Sequence, residues 1–425
     1  MNRLRAVFVV CWATLLSIGA AFAQDLSSEQ KSEVLKAVTD IVENRAFAVG
    51  VDLKKWSENL AKHQEAIDSA TTPAAFVGAV NRALREFGMS HISLRTPQSA
   101  ERRRINPDNV VLGVTFERLS EGLKVSAVAE TSPMSKLGLS TGDLIIEANG
   151  KQPGAPRDLL VTEAEKITLK VKKSSGEVVE IQLEKPQQAA SPSADTLTWA
   201  DSESAVLRLR SFNRTYDRSH ISTLFQEAKK AKYLVIDLRS NGGGLANNLQ
   251  HFLSFLLPPN APVGTMVSKR TAERYVEETK GDPSDLAKIG EWSSRKFGPR
   301  GGNEEYFKGK VAVLINRGSA SASEMCASAL RDAANAILVG QNSAGAVLAS
   351  VYGRLPHGFE IQYPVSDYVT AKGVRLEGNP LKPDIEVERS APAATAIEKA
   401  IEKLKASGDK ANPMGNHGSP IGAAA

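Results

Sequence analysis

A serine among small residues is the first candidate for chemistry in this sequence of 425 residues. The apolar segment 311–315 precedes a turn at Gly318 and serines that alternate with alanine up to Glu324. This pattern predicts a strand, a turn and a helix that begins near Ser321. A hydroxyl at such a turn is exposed, and the helix N-terminus offers backbone N–H groups to developing negative charge. Ser321 and Glu324 equally fit a capping box, which has only a structural role.

A glycine run, residues 242–244, is the second candidate. It follows the apolar segment 233–238, so a buried strand is predicted to end there. Because glycine has no side chain, this run could direct a backbone N–H group at an oxyanion. A single glycine run after a strand is, however, usually just a turn. Two small-residue turns at strand ends in one layer favour the rim of an active site.

Three kinds of element must position these turns. Apolar residues recur every three or four positions between 26 and 87, which predicts helices. From residue 109 the period changes to two, which predicts strands, and the stretches 97–107 and 186–193 are predicted linkers. From residue 196 to about 389, apolar strands alternate with helical patterns. The fold class is therefore α/β, with a β-rich insert and an N-terminal helical segment. The buried strands are predicted at 205–210, 233–239, 311–316 and 336–340.

The first 23 residues are typical of a secretory signal peptide. Arg3 and Arg5 precede an apolar run, and Ala21-Phe22-Ala23 provides a cleavage site. No later segment is continuously apolar for about 18 residues, so no membrane span is expected after signal removal. The sequence predicts a periplasmic or secreted protein.

Composition excludes some classes of function. There are 53 Lys and Arg against 48 Asp and Glu, and loss of Arg3 and Arg5 leaves 51 against 48, or +3. A net charge this small gives no reason to expect a protein that binds nucleic acid. Cys326 is the single cysteine after the signal and is expected to be a small buried residue. Because neither H-E-x-x-H nor C-x-x-C occurs, we expect no metal and no cofactor. Oligomeric state cannot be derived.

The segments 112–116 and 132–151 resemble a PDZ domain of the bacterial type. The resemblance implies a loop of free backbone N–H groups that holds a peptide C-terminal carboxylate, while the next strand pairs with the peptide. A plain β-domain whose glycines only make turns is the alternative. The implied partners are protein or peptide substrates with free C-terminal tails. The implied peptide-binding residues are Leu112, Gly113 and Val114.

The whole pattern resembles the carboxyl-terminal processing (tail-specific) proteases. This resemblance implies that Ser321 is the nucleophile and that the backbone N–H groups of Gly243 and Ala322 line the oxyanion hole. It also implies a crotonase-like or ClpP-like α/β core. The residues that carry it are LRLRSF at 207–212, IDLRSNGGG at 236–244, GSASASE at 318–324, Asp332 and Pro383-Asp384. The implied organisation is a signal peptide at 1–23, a helical region at 24–100, the PDZ-like domain at 107–186, the protease core at 195–390, and a helix with a disordered tail at 391–425.

The segment that carries F-G-K-G in that family departs from it here, since only the first glycine is present, as Gly345. The family's serine is activated by a lysine, and the equivalent position here is Ala346, whose methyl group cannot accept a proton. The segment around His91 instead resembles the T-S-H element of tricorn protease, in which a Ser-His pair and a glutamate complete a tetrad. This resemblance implies that Ser90 and His91 are the Ser-His pair and that Glu377 is the glutamate of such a tetrad, with Ser321 as its fourth member.

A base of this kind is chemically suited to the task. An imidazole with a pKa of ~6.5 can take the serine proton at neutral pH, and its second nitrogen needs an orienting acceptor. His91 could equally be a buried structural histidine, and Glu377 a surface turn acid. The sequence thus predicts an exported serine endopeptidase. A catalytically inactive, PDZ-containing peptide-binding scaffold and a binder of hydrophobic small molecules are the rival hypotheses.

Overall fold

The structure is a computed structural model of the chain. It describes residues 26–104, 110–111, 114–128, 133–154, 156–159, 166–184, 195–259, 261–300 and 305–407. The predicted signal peptide, the predicted linker at 186–193 and the tail after residue 407 lie outside these ranges.

The N-terminal region consists of short helices packed around one apolar core. Val34 and Val38 face Trp56, Phe76 and Leu84 there. Its elements are α1 (Ser28–Asp40), a π-helical turn (Ile41–Arg45), a 3-10 turn (Leu53–Lys55), α2 (Trp56–Ala61), α3 (Gln64–Asp68), α4 (Pro73–Arg85), β1 (Ser93–Arg95) and α5 (Pro97–Arg104).

The helix α5 corrects a prediction, because its residues were expected to form an arginine-rich linker. Thr96 begins it as a cap: the hydroxyl accepts from the Ser99 N–H at 3.2 Å, and the carbonyl accepts from the Ala100 N–H at 2.9 Å. Pro97 follows at the first helical position, where its missing N–H costs nothing. The Thr-Pro pair was the signal for a helix start in the sequence.

The insert is one antiparallel sheet of six strands with a core of its own. The strands pair in chain order, and Phe116, Leu123, Ile145 and Leu169 lie inside. Val114 is buried and pairs with Val128, whereas Leu112 and Gly113 lie outside the described residues. The elements are β2 (Val110–Val111), β3 (Val114–Leu119), β4 (Gly122–Val128), α6 (Pro133–Lys136), β5 (Leu144–Ala148), a 3-10 turn (Pro156–Leu159), β6 (Lys166–Lys172) and β7 (Val178–Glu184).

The third region confirms the mixed α/β fold. Its elements are β8 (Thr196–Trp199), β9 (Ser204–Arg208), α7 (Arg218–Ala228), β10 (Tyr233–Asp237), α8 (Ala246–Leu253), β11 (Gly264–Ser268), α9 (Lys269–Thr279), α10 (Leu286–Trp292), β12 (Lys310–Ile315), α11 (Ala322–Ala334), β13 (Ile337–Gly340), β14 (Ala349–Arg354), a 3-10 turn (Pro356–Gly358), β15 (Glu360–Thr370), β16 (Ile385–Glu386) and α12 (Ala393–Ala406).

The main sheet has the order β16-β13-β12-β10-β9-β8 and is parallel except for β8. It is covered on both faces, which explains why its strands are continuous apolar runs. Leu234 and Ile236 face the core that contains α7, α8 and α11, while Val235 faces α12.

A second sheet, which the sequence did not predict, connects the N-terminal region to this layer. The long strand β15 lies between β1 and β11, and β14 also pairs with it. Ser93, two residues after His91, is opposite Gln362 of β15. This pairing holds the early segment against the α/β layer. No helix within the described ranges has the length and apolar character that crossing a membrane requires.

Candidate active site

Ser321 occupies a strained turn between β12 and α11. Its backbone has φ +57° and ψ −121°, a conformation that non-glycine residues rarely adopt and that concentrates at functional sites. The Ser321 side chain is half-buried, and its N–H donates to the Ala346 carbonyl at 2.9 Å. The predicted strand, turn and helix are therefore present, and their geometry resembles a nucleophile elbow.

Glu324 contacts Ser321 but also fastens a neighbouring loop. One carboxylate oxygen accepts from the Ser321 N–H at 3.2 Å, which is half of a capping box. The same buried carboxylate accepts from the Ser343 hydroxyl at 2.5 Å and from the N–H groups of Gly345 and Ala346 at 2.7 and 2.9 Å. Burial raises the pKa of Glu324, opposed by these hydrogen bonds. Its role is to hold loop 343–346 against the start of α11.

Gly243 lies directly against the Ser321 turn. A β-carbon at Gly243 would lie 2.7 Å from the Ala322 nitrogen and 2.8 Å from the Ser321 β-carbon, and its φ is +86°. Only glycine leaves that space empty. The two small-residue turns found in the sequence therefore meet at one place.

The two predicted oxyanion donors differ in their present hydrogen bonds. The Gly243 N–H already donates to Asn241 Oδ1 at 2.9 Å, so oxyanion binding there requires that bond to open or to be shared. The Ala322 N–H has no hydrogen-bond partner in the described part of the chain, and it borders the space that Gly243 leaves. Sequence reasoning missed Asn241; its position before the glycine run was the only signal.

Ser90, His91 and Glu377 form one hydrogen-bonded chain. The Ser90 hydroxyl donates to Glu377 Oε2 at 2.9 Å, and Ser90 Oγ lies 2.6 Å from His91 Nδ1. Since Ser90 has a single hydroxyl proton and Glu377 accepts it, Nδ1 must carry a proton and donate it to Ser90. His91 Nε2 is then unprotonated, as a general base requires. His91 adopts a φ of +58° just before β1.

Glu377 is a buried group and not a surface turn acid. Its exposed fraction is 7%, and besides the Ser90 hydroxyl it accepts from the N–H groups of Ser90 and Val347, both at 2.7 Å. Val347 directly follows Ala346, whose carbonyl accepts from Ser321. Residues 346–347 therefore connect the segment of Ser321 to that of His91.

The electrostatics keep His91 neutral near pH 7. Burial lowers the pKa of His91, because a charged imidazolium loses hydration there, and the negative Glu377 partly opposes that effect. A neutral imidazole with a free Nε2 can accept a proton from a hydroxyl.

The other candidates for a base or nucleophile are engaged elsewhere. Lys372 pairs with Asp332 at 3.1 Å, and His251 contacts the Tyr216 hydroxyl at 2.8 Å. Cys326 is fully buried, and burial raises the pKa of its thiol, so it is inert as expected. Within the described ranges no cluster of His, Cys, Asp and Glu is arranged to hold a metal.

Comparison with known proteins gives similarities along most of the chain. Residues 203–387 match Peptidase family S41. The chain is 26% identical to "Carboxyl-terminal-processing peptidase 1, chloroplastic" of Arabidopsis thaliana over 69% of this chain and 58% of that protein. It is 26% identical to "Tail-specific protease" of Haemophilus influenzae over 72% of this chain and 44% of that protein. A crystal structure of tricorn protease covers 88% of this chain and 37% of its own, at 15% identity and a TM-score of 0.45. The chain thus spans about half the length of the two relatives.

Proposed function

Because residues 203–387 match Peptidase family S41, we propose that this chain is an exported serine endopeptidase with a histidine base. The match, together with relatives named as carboxyl-terminal processing and tail-specific proteases, confirms the family predicted from the sequence. The identities of the base and of its orienting groups are our proposal.

The proposed reaction proceeds through an acyl-enzyme. Ser321 Oγ attacks the scissile carbonyl carbon while His91 Nε2 takes the hydroxyl proton. The Ala322 N–H stabilises the oxyanion, joined by the Gly243 N–H once its bond to Asn241 opens. His91 then protonates the leaving amine, the C–N bond breaks, and water repeats the sequence to release the acid and regenerate Ser321.

The observation that carries this assignment is the Ser90 hydroxyl between the His91 ring and a buried carboxylate. A histidine that only stabilises a helix end has no need of an ionisable acid held by three donors. Such a partner fixes the tautomer and stabilises the imidazolium that forms during proton transfer. Ser90 and Glu377 are thus positioning residues, and His91 and Ser321 are the reacting ones.

The PDZ-like insert and the predicted signal peptide add the substrate class and the location of the proposed enzyme. The PDZ-like sheet would capture the free C-terminal tail of a protein or peptide and deliver the chain to Ser321. The signal peptide would send the enzyme to the periplasm or the medium.

The decisive experiment compares wild type with Ser321→Ala and His91→Ala, using β-casein as an unstructured substrate. We expect no cleavage by the serine variant and a loss of about 10³- to 10⁴-fold by the histidine variant. His63→Ala is the matched control, since the His63 ring pairs with Glu86 at 3.1 Å on the N-terminal helices, and its loss should leave cleavage unchanged.

A fluorophosphonate probe separates the proposal from the rivals. Labelling of Ser321 in wild type supports the enzyme, whereas absence of both labelling and cleavage would favour the inactive scaffold. Normal turnover by His91→Ala would remove the histidine base but leave the nucleophile. The small-molecule binder is disfavoured, since the groups around Ser321 are converging polar ones and such a site needs an apolar pocket.

A further inference from the structure

A half-open cavity of about 680 Å³ borders the start of α8, which follows the glycine run 242–244. Its lining comes from the start of α8, from β11 and β15, from α9, and from the end of α10 and the segment that follows it up to Arg300. Ala246, on its wall, comes two residues after Gly244. Ser366, on another wall, pairs with Ala349, three residues after Ala346. One wall of the cavity is therefore within three residues, along the chain, of a loop that contacts the Ser321 turn, and another wall is paired with a residue that is equally near such a loop.

The lining of this cavity is strongly cationic. Five of its side chains are basic and one, Glu278, is acidic; the basic ones are Arg270, Arg274, Arg295, Lys296 and Arg300. Such a concentration of one sign in a concave site raises the local concentration of anions.

Two of the five cations have internal partners. Arg274 pairs with Glu278 at 2.8 Å and lies over the Trp292 ring at 5.7 Å. The Lys296 ammonium donates to the carbonyls of Gly290 and Glu291, at 2.5 and 3.2 Å. These contacts fix the wall of the cavity and neutralise one charge.

The other three cations are Arg270, Arg295 and Arg300. In the part of the chain that the structure describes, none of their guanidinium groups makes a hydrogen bond or an ion pair. Three like charges that face one cavity repel each other, and the planar guanidinium is suited to a bidentate bond with a carboxylate. An anionic ligand would remove the repulsion and satisfy the donors.

We propose that this cavity is a substrate subsite that binds a carboxylate of the polypeptide, namely an Asp or Glu side chain some residues from the scissile bond. The inference rests on the proposed function, because that function makes the ligand a polypeptide. The subsite gives the enzyme a preference for acidic segments.

Binding to the Ser321→Ala variant tests this preference without hydrolysis. The probes are short fluorescein-labelled Ala/Ser/Gly peptides with amidated C-termini, in which one Glu is moved position by position. Each is compared by fluorescence anisotropy with its Gln counterpart. At one or two positions Glu should bind on the order of tenfold more tightly than Gln, and added salt should weaken the difference.

Charge variants assign that preference to the cavity. The double variant Arg270→Gln, Arg295→Gln should abolish the preference for Glu peptides. The double variant Arg270→Glu, Arg295→Glu should instead prefer Lys peptides, and this gain of binding would also show that the charge-reversed protein folds. Arg82→Gln with Arg85→Gln removes the same charge from the exposed face of α4 and should change nothing. Equal binding of Glu and Gln peptides, or a preference that survives the double variant, would overturn the subsite.

Two further arms separate the possible explanations. Gln peptides with a free C-terminus are compared with the amidated Gln and Glu peptides. If only the free C-terminus increases the affinity, the cavity binds the end of a chain and the assignment to an Asp or Glu side chain is wrong. Wild type is then given the same peptides: cleavage without a Glu preference would refute the subsite alone. A Glu preference that depends on the arginines, without any cleavage, would support the subsite and refute the proposed hydrolysis.

Discussion

Glu377 accepts hydrogen bonds from two backbone N–H groups and from the Ser90 hydroxyl while almost wholly removed from water. All three neighbours are donors, so an ionised carboxylate satisfies them and a neutral amide cannot. The charge at this position therefore determines both the orientation of Ser90 and the tautomer of His91.

Glu377→Gln is expected to lower kcat by about 10²- to 10⁴-fold with little change in KM, because the imidazolium loses its stabilising charge while the substrate contacts remain. The exposed Glu398→Gln on α12 is the matched control. Equal kcat values for wild type and Glu377→Gln would show that the carboxylate has no part in proton transfer.

The ionisation of His91 predicts the pH dependence. Burial lowers its pKa, so the acid limb of kcat/KM should have its midpoint below the ordinary value of ~6.5, with activity level above it. In Glu377→Gln the midpoint should move lower still, since the charge that raises the His91 pKa is lost. An acid limb at or above ~6.5 in wild type would contradict a desolvated imidazole base.

The same pKa also affects stability. The folded state binds the His91 proton less tightly than the unfolded state, so the free energy of unfolding falls as the pH is lowered through ~6.5 towards the folded pKa. Above ~6.5 both states are neutral at His91 and this contribution vanishes.

At the scale of elements, the site depends on how closely the glycine run approaches the turn before α11. The backbone of Gly243 fills the gap beside Ala322 with no room for a side chain. Gly242, its neighbour, has open space around it. The pair offers a matched comparison within one turn.

Gly243→Ala should reduce kcat by at least about tenfold and lower the free energy of unfolding by about 2 kcal/mol. The cause is a positive φ combined with a methyl group 2.7 Å from the Ala322 nitrogen. Gly242→Ala should stay within about 0.5 kcal/mol of wild type. Urea unfolding and steady-state kinetics measure both effects. Similar behaviour of the two variants would mean that the turn relaxes freely.

The main sheet could be predicted from the sequence because parallel strands covered on both faces are uninterrupted apolar runs. The sheet of β11, β14 and β15 could not, since β14 has exposed and half-buried residues with no buried run and β15 contains Pro364 and the buried Asp367. The Asp367 carboxylate accepts from the N–H of the next residue, Tyr368, at 2.8 Å, and its other oxygen depends on contacts from elsewhere in the chain, the Val49 N–H at 3.2 Å and Arg375 at 2.6 Å.

The site was predictable in part. The turns at Gly243 and Ser321 follow from local sequence, whereas Ser90 and Glu377 are 287 residues apart and were paired only by resemblance to a family. The hydrogen bond from the Gly243 N–H to Asn241 was not predictable, because the direction of a backbone N–H depends on φ and ψ, which glycine leaves unrestricted.

At the scale of the whole molecule, the apolar cores differ in whether they are built from one region of the chain or from two. Among the residues that the structure describes, the core of the insert contains residues of the insert alone. The core of the N-terminal helices includes Leu348, Phe359 and Ile361, which belong to the α/β region. The insert is thus a separate unit, while the N-terminal region folds together with the layer that carries Ser321.

Replacing residues 105–194 by a flexible Gly/Ser linker should therefore leave a folded protein that still cleaves short peptides. Removing residues 26–95 should instead expose the apolar side chains of β14 and β15 and cause aggregation, because the buried partners of those strands are lost. Thermal unfolding and size-exclusion chromatography distinguish the two deletions. Cooperative unfolding of the shorter chain without residues 26–95 would contradict shared packing.

The wide spacing of Ser90, Ser321 and Glu377 along the chain has a consequence for biosynthesis. A ribosome completes Ser90 287 residues before Glu377, and β15 must form before the segment of His91 is held in place. Under the proposed mechanism, a nascent copy therefore has no working machinery while it emerges. If the chain is exported as proposed, other unfolded polypeptides in transit beside it are not cleaved until β15 and the segment of Glu377 have been made and paired.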